Sequence, residues 1–170
     1  LGLKLGLADP IRWGEYAKQR GIAKPAGAKD TDFVVQILDP ATGTGTFLLH
    51  TLNLIFRTMT EEYARLGFDE AKAAAEWKKY VRDELLPRIN AFELMMAPYI
   101  VTHLRLGLAL EQGLAEEAGR DASKWGFTFG KKDRLRVFLT NTLALHAGHQ
   151  LDWLSPHVAE EAREAEKLKL

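Results

Sequence analysis

Two carboxylates on either side of a glycine-rich turn are the residues best placed for ligand chemistry. Asp39 ends an apolar run and opens the stretch DPATGTGTFL, which leads directly into a helical pattern. Glu93 ends a second apolar run further along the chain. Glycines let a backbone approach a ligand closely, and the first turn of a helix offers free N–H groups. The pattern therefore predicts a ligand pocket at this turn.

The residue types around the turn separate three classes of ligand. A phosphate-binding P-loop needs a lysine after its last glycine, but Thr46 and Phe47 follow here. A dinucleotide fingerprint needs a third glycine, and Leu48 stands in its place. S-adenosylmethionine carries an ammonium and a sulfonium, which the carboxylate of Asp39 attracts, whereas it repels phosphate. The residues favour the methyl donor, and an NAD-dependent oxidoreductase is the alternative.

A second carboxylate is needed to hold the ribose hydroxyls of this cofactor. Glu93 has the right position at the end of the second apolar run, and Phe92 beside it is placed to pack on the adenine. The separation from Asp39 exceeds the roughly 20 residues found in dinucleotide folds. The excess corresponds to an additional helical pattern between the two runs. A solvated carboxylate at a strand end is the alternative interpretation of Glu93.

The elements that must position these residues alternate along the chain. Apolar, β-branched runs predict strands at residues 34–38, 88–94 and 134–141. Helical spacing and capping signals predict helices at residues 46–66, 69–86, 96–113, with Gly113 at its end, and 155–170. This alternation predicts an α/β fold with a mainly parallel sheet and right-handed crossovers.

The composition excludes several classes of protein. Lys plus Arg equals Asp plus Glu at 23 each, which argues against a dedicated nucleic-acid-binding module but not against an enzyme core that takes DNA contacts from other domains. Without cysteine there is no disulfide framework and no thiolate metal site. The pair His146 and His149 lacks a third ligand, so we expect no metal. Apolar runs too short to span a membrane and no signal-peptide pattern at residues 1–10 predict a cytoplasmic protein.

Three sequence blocks in order resemble a known family. ILDPATGTGTFL, LLPRINAFELMMAPYIVTHLRLGL and RLRVFLTNTL are similar to the methyltransferase part of large bacterial restriction-modification enzymes, above all the single-polypeptide, ATP-dependent type ISP enzymes. The resemblance covers residues 34–143 closely and the tail loosely. It implies a partial Rossmann-like, S-adenosylmethionine-dependent methyltransferase fold and N6-adenine methylation of DNA. It also implies a parent protein with helicase, nuclease and target-recognition domains that acts on double-stranded DNA.

The resemblance also assigns roles to individual residues. The methionine end of the cofactor is assigned to Asp39, Pro40, Ala41, Gly43 and Gly45, with Phe47 lining the same pocket. The ribose hydroxyls are assigned to Glu93, the adenine to Phe92, and the adenine amino group to Asn141, whose amide offers both a donor and an acceptor.

The residues that would hold the acceptor base are missing from the sequence. In the resembled family, an Asn/Asp-Pro-Pro-Tyr/Phe segment after the fourth strand grips the extruded base. The nearest stretch here, Ala97-Pro98-Tyr99, lacks the polar first residue and predicts a helix start instead. Residues 1–33 show no clear periodicity, and we expect an N-terminal loop and linker there. Residues 34–170 would form the first half of a methyltransferase domain that ends before its catalytic segment and is inactive alone. The alternatives are a non-catalytic scaffold and a methyltransferase of RNA or protein.

Overall fold

A parallel sheet organises the protein, as seen in a computed structural model that describes residues 2–140, Glu164 and Leu168. Its strands are β1 Ile37–Asp39, β2 Ile89–Glu93 and β3 Arg136–Leu139. β2 is central and pairs in parallel with both neighbours. The fold is therefore mixed α/β of a partial Rossmann-like type, and the predicted fold class is confirmed.

Helices fill the connections between the strands. They are α1 Trp13–Arg20, α2 Thr46–Arg65, α3 Glu70–Tyr80, α4 Met96–Leu108, α5 Leu114–Glu117 and α6 Ala122–Trp125. A π-helical turn, Val81–Leu85, and a 3₁₀ turn, Leu86–Arg88, continue α3 up to β2. The predicted helices at 46–66 and 69–86 are thus both present. None of the described helices has the length and apolar character needed to cross a membrane.

Two predicted boundaries are wrong, and tertiary contacts explain both. β1 begins at Ile37 rather than at Val34, because the N–H of Val34 donates to the carbonyl of Ile11 in the N-terminal segment (3.0 Å). Gly113 does not end the helical segment: a π-helical turn, Ala109–Gly113, joins α4 to α5. Leu114 is buried, and this burial offsets the low helix propensity of the glycine.

The two faces of the sheet carry different side chains. Ile37, Ile89, Ala91 and Val137 belong to one large core shared with α2, α3 and α4. Both crossovers pack on this face, as expected for two connections of the same hand that run in the same direction. Phe92 and the neighbouring Phe138 lie in a separate cluster, with Leu168 packed against them.

The N-terminal segment is fastened to the start of β2 through a buried cation. Arg88 is fully buried and donates to the carbonyl of Asp9 (2.9 Å) and to the hydroxyl of Tyr80. That hydroxyl donates in turn to the carbonyl of Ala8 (2.7 Å). Burial raises the pKa of Tyr80 to about 12. The phenol therefore stays protonated as part of this network.

Candidate functional site

The ends of β1 and β2 bring the two predicted carboxylates to one edge of the sheet. β1 ends at Asp39, which is in register with Ala91, and β2 ends two residues later at Glu93. Since the strands are parallel neighbours, their carboxyl ends face the same side, where open α/β sheets bind their ligands. The glycine turn that follows Asp39 occupies the space between them.

The glycine turn, residues 42–46, has a backbone conformation that requires its glycines. Gly43 and Gly45 have φ angles of 55° and 76°, a left-handed region that other residues enter at a cost. The N–H of Gly45 donates to the carbonyl of Thr42 (2.9 Å), which closes the turn, and the N–H of Thr42 donates to the carbonyl of Phe92 (3.0 Å), which ties it to β2. Among the described residues, apart from its two neighbours in the chain, no atom lies within 4 Å of the position where a side chain on Gly43 would begin. The turn therefore leaves open space on that side.

Glu93 accepts three backbone hydrogen bonds, one from the glycine turn and two from the residues that follow β2. Its Oε2 accepts from the N–H of Gly43 (2.9 Å), and its Oε1 accepts from the N–H groups of Leu94 and Met95 (2.9 Å each). The residue is only 9% exposed. A carboxylate offers about four acceptor positions, so capacity for a further donor, such as a ribose hydroxyl, remains.

Asp39 is less engaged than Glu93. One carboxylate oxygen accepts from the N–H of Ala41 at 3.3 Å, and the other has no hydrogen-bond partner among the described residues. The side chain is half-buried, and Pro40 and Ala41 beside it are exposed. Asp39 can therefore accept a hydrogen bond from a cationic donor at the open side of the turn.

The two predicted phenylalanines have opposite environments. Phe47, in the first turn of α2, is 61% exposed, whereas Phe92 is 1% exposed and packs against Phe138. Phe92 contributes its backbone carbonyl to the turn, and its assignment to the adenine stays a prediction. The neighbouring side chains of Leu94 and Met95 are exposed at 65% and 60%. Sequence reasoning did not single out these two apolar groups beside Glu93.

Two residues of α4 that sequence reasoning missed also contact the turn. Thr102 is fully buried, and its hydroxyl donates to the carbonyl of Gly43 (2.8 Å). Arg105 donates through Nη1 to the carbonyl of Thr44 (2.8 Å). The only sequence signal for Thr102 is a polar residue on the otherwise apolar inner face of an amphipathic helix.

The remaining candidate residues from the sequence either lie outside the described residues or have a structural role in a helix. Asn141, His146 and His149 are outside the described residues. Within the described part of the chain, no group of three or more potential metal ligands occurs. Pro98 lies in the first turns of α4, so the stretch around it begins a helix as predicted.

The residues around the turn offer hydrogen-bond acceptors for a cationic, hydroxyl-bearing ligand. The hydroxyl of Thr42 is buried without a hydrogen-bond partner among the described residues, as are Nε of Arg88 and Nε1 of Trp125 away from the turn. Asp39 and Glu93 offer acceptors for an ammonium and for hydroxyls, and the open space at Gly43 admits a ligand. The set as a whole is suited to a cationic, hydroxyl-bearing cofactor.

Comparison with known proteins found distantly similar solved structures but no matching family. No protein-family model and no curated protein matches it. The solved structure of the ATP-dependent Type ISP restriction-modification enzyme LlaBIII bound to DNA is similar, with 19% identity and a TM-score of 0.43, over 98% of this chain and 9% of that one. A nuclease-deletion mutant of the Type ISP restriction-modification enzyme LlaGI in complex with a DNA substrate mimic is also similar. The identity is 16% and the TM-score 0.37, and the match covers 98% of this chain and 11% of that one. The chain spans about a tenth of the length of these enzymes, and its similarity to them is distant.

Proposed function

We propose that the edge of the sheet formed by Asp39, the glycine turn and Glu93 binds S-adenosylmethionine. The observation that carries the proposal is the position of the two carboxylates. They end adjacent parallel strands on either side of the turn, and Glu93 is joined to the N–H of Gly43 at 2.9 Å. Acidic groups at both strand ends suit a ligand with an ammonium and ribose hydroxyls, and they disfavour a pyrophosphate.

Each part of the site has a task in holding this cofactor. Asp39 accepts a hydrogen bond from the ammonium of the methionine end, and Glu93 accepts one from a ribose hydroxyl with its remaining capacity. The exposed side chains of Phe47, Leu94 and Met95 offer apolar surface for the less polar parts of the ligand. When bound, the cofactor supplies an electrophilic methyl group on its sulfonium.

The proposed parent activity is N6-adenine methylation of DNA within a restriction-modification enzyme. Support comes from the three sequence blocks that resemble this family, and the partners would be double-stranded DNA and the helicase, nuclease and target-recognition domains of the same polypeptide. The 170 residues contain no Asn/Asp-Pro-Pro-Tyr/Phe segment. By itself this chain should therefore bind the cofactor without transferring its methyl group.

Isothermal titration of the 170-residue chain with S-adenosylmethionine and S-adenosylhomocysteine tests the proposal. We expect saturable binding of both, no binding of NAD, and weaker binding to Asp39→Asn, which keeps the size of the side chain but loses its charge. Asp83→Asn, at an exposed residue in the π-helical turn that precedes β2 and thus away from the carboxyl ends of the strands, is the matched control. Binding of NAD in preference to S-adenosylhomocysteine would refute the cofactor assignment.

A methyl-transfer assay tests the second half of the proposal. The isolated chain is incubated with radiolabelled S-adenosylmethionine and adenine-containing double-stranded DNA. We expect no label in the DNA, because these 170 residues contain no Asn/Asp-Pro-Pro-Tyr/Phe segment to hold an extruded base. Label incorporated above the no-protein background would contradict this expectation.

A further inference from the structure

The glycine turn is held from outside by one helix. Thr102 and Arg105 lie three residues apart on α4, a spacing that places side chains on the same helix face. The hydroxyl of Thr102 donates to the carbonyl of Gly43 (2.8 Å), and Nη1 of Arg105 donates to the carbonyl of Thr44 (2.8 Å). Consecutive carbonyls of the turn are thus both directed toward α4.

This arrangement determines where the N–H groups of the turn point. In a trans peptide the C=O and the following N–H point in opposite directions, so the bond from Thr102 to Gly43 directs the N–H of Thr44 away from α4. Among the described residues this N–H has no acceptor. The N–H of Gly43 is bound by Glu93 and that of Gly45 by Thr42. Within residues 43–45, the N–H of Thr44 is therefore the donor that remains available to a ligand, in addition to the N–H groups that begin α2.

Arg105 lies in the last turn of α4, where a cation is favourable, but against the N-terminus of α2, where a cation is unfavourable. Its Nη1 also lies 3.2 Å from Oγ1 of Thr44 and 3.1 Å from Oγ1 of Thr46, the first residue of α2. A cation at a helix N-terminus opposes the helix dipole, and in the described part of the chain Arg105 forms no ion pair. The favourable interactions of the Arg105 guanidinium at this position are therefore its hydrogen bonds to the turn.

The tight packing at Gly45 shows that Thr102 fits closely under the turn. A side chain on Gly45 would begin 3.0 Å from Cγ2 and 3.2 Å from Oγ1 of Thr102. Thr102 is fully buried, so water does not compete for the carbonyl of Gly43. The hydrogen bond from Thr102 thus restrains the peptide between Gly43 and Thr44 in one orientation.

We propose that Thr102 and Arg105 are positioning residues that orient the glycine turn so that the N–H of Thr44 donates to an acceptor atom of the bound cofactor. Neither side chain needs to touch the cofactor. This inference rests on the proposed function of the site. It assigns the turn's orientation to α4, an element that carries none of the carboxylates.

Variants that remove or retain the donors test the inference in the 170-residue chain. Thr102→Val removes the hydroxyl at nearly constant shape, and Thr102→Ser retains it. Arg105→Met removes the donor, and Arg105→Lys retains one. Thr58→Val is the matched control, because the hydroxyl of Thr58 donates to the carbonyl of Leu54 within α2, away from the turn (2.9 Å).

The first measurement is amide hydrogen exchange by NMR without any ligand. We expect the N–H groups of Gly43 and Gly45 to exchange about tenfold faster in Thr102→Val, as loss of one buried hydrogen bond implies. Thr102→Ser should restore wild-type exchange, and Thr58→Val should leave both amides unchanged. Unchanged exchange in Thr102→Val would overturn the inference.

The second measurement is the affinity for S-adenosylhomocysteine by isothermal titration. We expect about tenfold weaker binding for Thr102→Val and Arg105→Met, with recovery in Thr102→Ser and partial recovery in Arg105→Lys. Equal losses in Thr102→Val and Thr102→Ser would show a purely steric role and overturn the inference. A wild-type chain without affinity for this ligand would instead refute the proposed function, while the exchange rates would still decide whether α4 orients the turn.

Discussion

Replacing Glu93 by glutamine should destabilise the protein even when no ligand is bound. The carboxylate accepts three backbone hydrogen bonds, from Gly43 through Oε2 and from Leu94 and Met95 through Oε1. A glutamine side chain has the same size but only one oxygen. Its best arrangement keeps the oxygen on Leu94 and Met95, and its NH₂ group then faces the N–H of Gly43, donor against donor.

The expected cost follows from the loss of this one bond. A hydrogen bond to a charged group contributes about 1.5–3 kcal/mol. Glu93 is only 9% exposed, and the NH₂ group of the glutamine itself occupies the space beside the N–H of Gly43, so water replaces the lost acceptor poorly. We therefore expect the free energy of unfolding to fall by about 2–3 kcal/mol, a large share of the roughly 5–15 kcal/mol typical of a domain.

Urea unfolding followed by far-UV circular dichroism measures this difference. Glu111→Gln makes the same chemical change at an exposed residue, and it should alter the free energy of unfolding by less than about 0.5 kcal/mol. Amide exchange localises the effect, since the N–H of Gly43 should be the most affected. If Glu93→Gln were no less stable than Glu111→Gln, the description of Glu93 as the anchor of the turn would be refuted.

Three further predictions concern the turn and the N-terminal segment. The pKa of Tyr80 is raised from 10.0 to about 12 by burial, so the folded protein keeps a proton that the unfolded chain loses, and the free energy of unfolding should fall as pH rises between these values. Tyr80→Phe should reduce this slope in urea titrations at stepped pH, and an unchanged slope would contradict the assignment. Gly43→Ala should lose only about 1–2 kcal/mol of stability, because of its positive φ. Gly45→Ala should be less stable than Gly43→Ala, because a side chain at Gly45 also meets Thr102 at 3.0 Å. The opposite order of the two melting temperatures would disprove this. Thr42→Val should leave the free energy of unfolding unchanged or raise it by up to about 1 kcal/mol, because it removes a buried hydroxyl that has no partner in the described part of the chain. A clear loss of stability in urea unfolding would show that this hydroxyl forms a hydrogen bond.

Local sequence patterns were sufficient for the elements that carry the site. Apolar runs that end in Asp39 and Glu93 predicted strand ends, and the glycines between them and α2 predicted a tight turn. These predictions depend on period and composition, which act over a few residues. The predicted start of β1 at Val34 and the predicted helix end at Gly113 were wrong, because each boundary depends on a partner distant in the chain. Ile11 pairs with the residues before β1, and the core buries Leu114.

The contacts within the site could not be read from the sequence. A helical pattern places Thr102 and Arg105 on one face of α4, but it does not say that this face meets the glycine turn. A strand pattern places Glu93 at the end of β2, but it does not say that the carboxylate binds Gly43 rather than solvent. These contacts join residues 50 to 61 positions apart, and only the packed sheet brings them together.

The sequence by itself determined the kind of fold, the chemical types at the turn and the absence of an Asn/Asp-Pro-Pro-Tyr/Phe segment from these 170 residues. These follow from residue identity and local periodicity. The tertiary structure decided which backbone groups each side chain binds and which N–H of the turn is left for a ligand. Hydrogen bonds are directional and short, so their partners are settled only when β1, β2 and α4 are packed against one another.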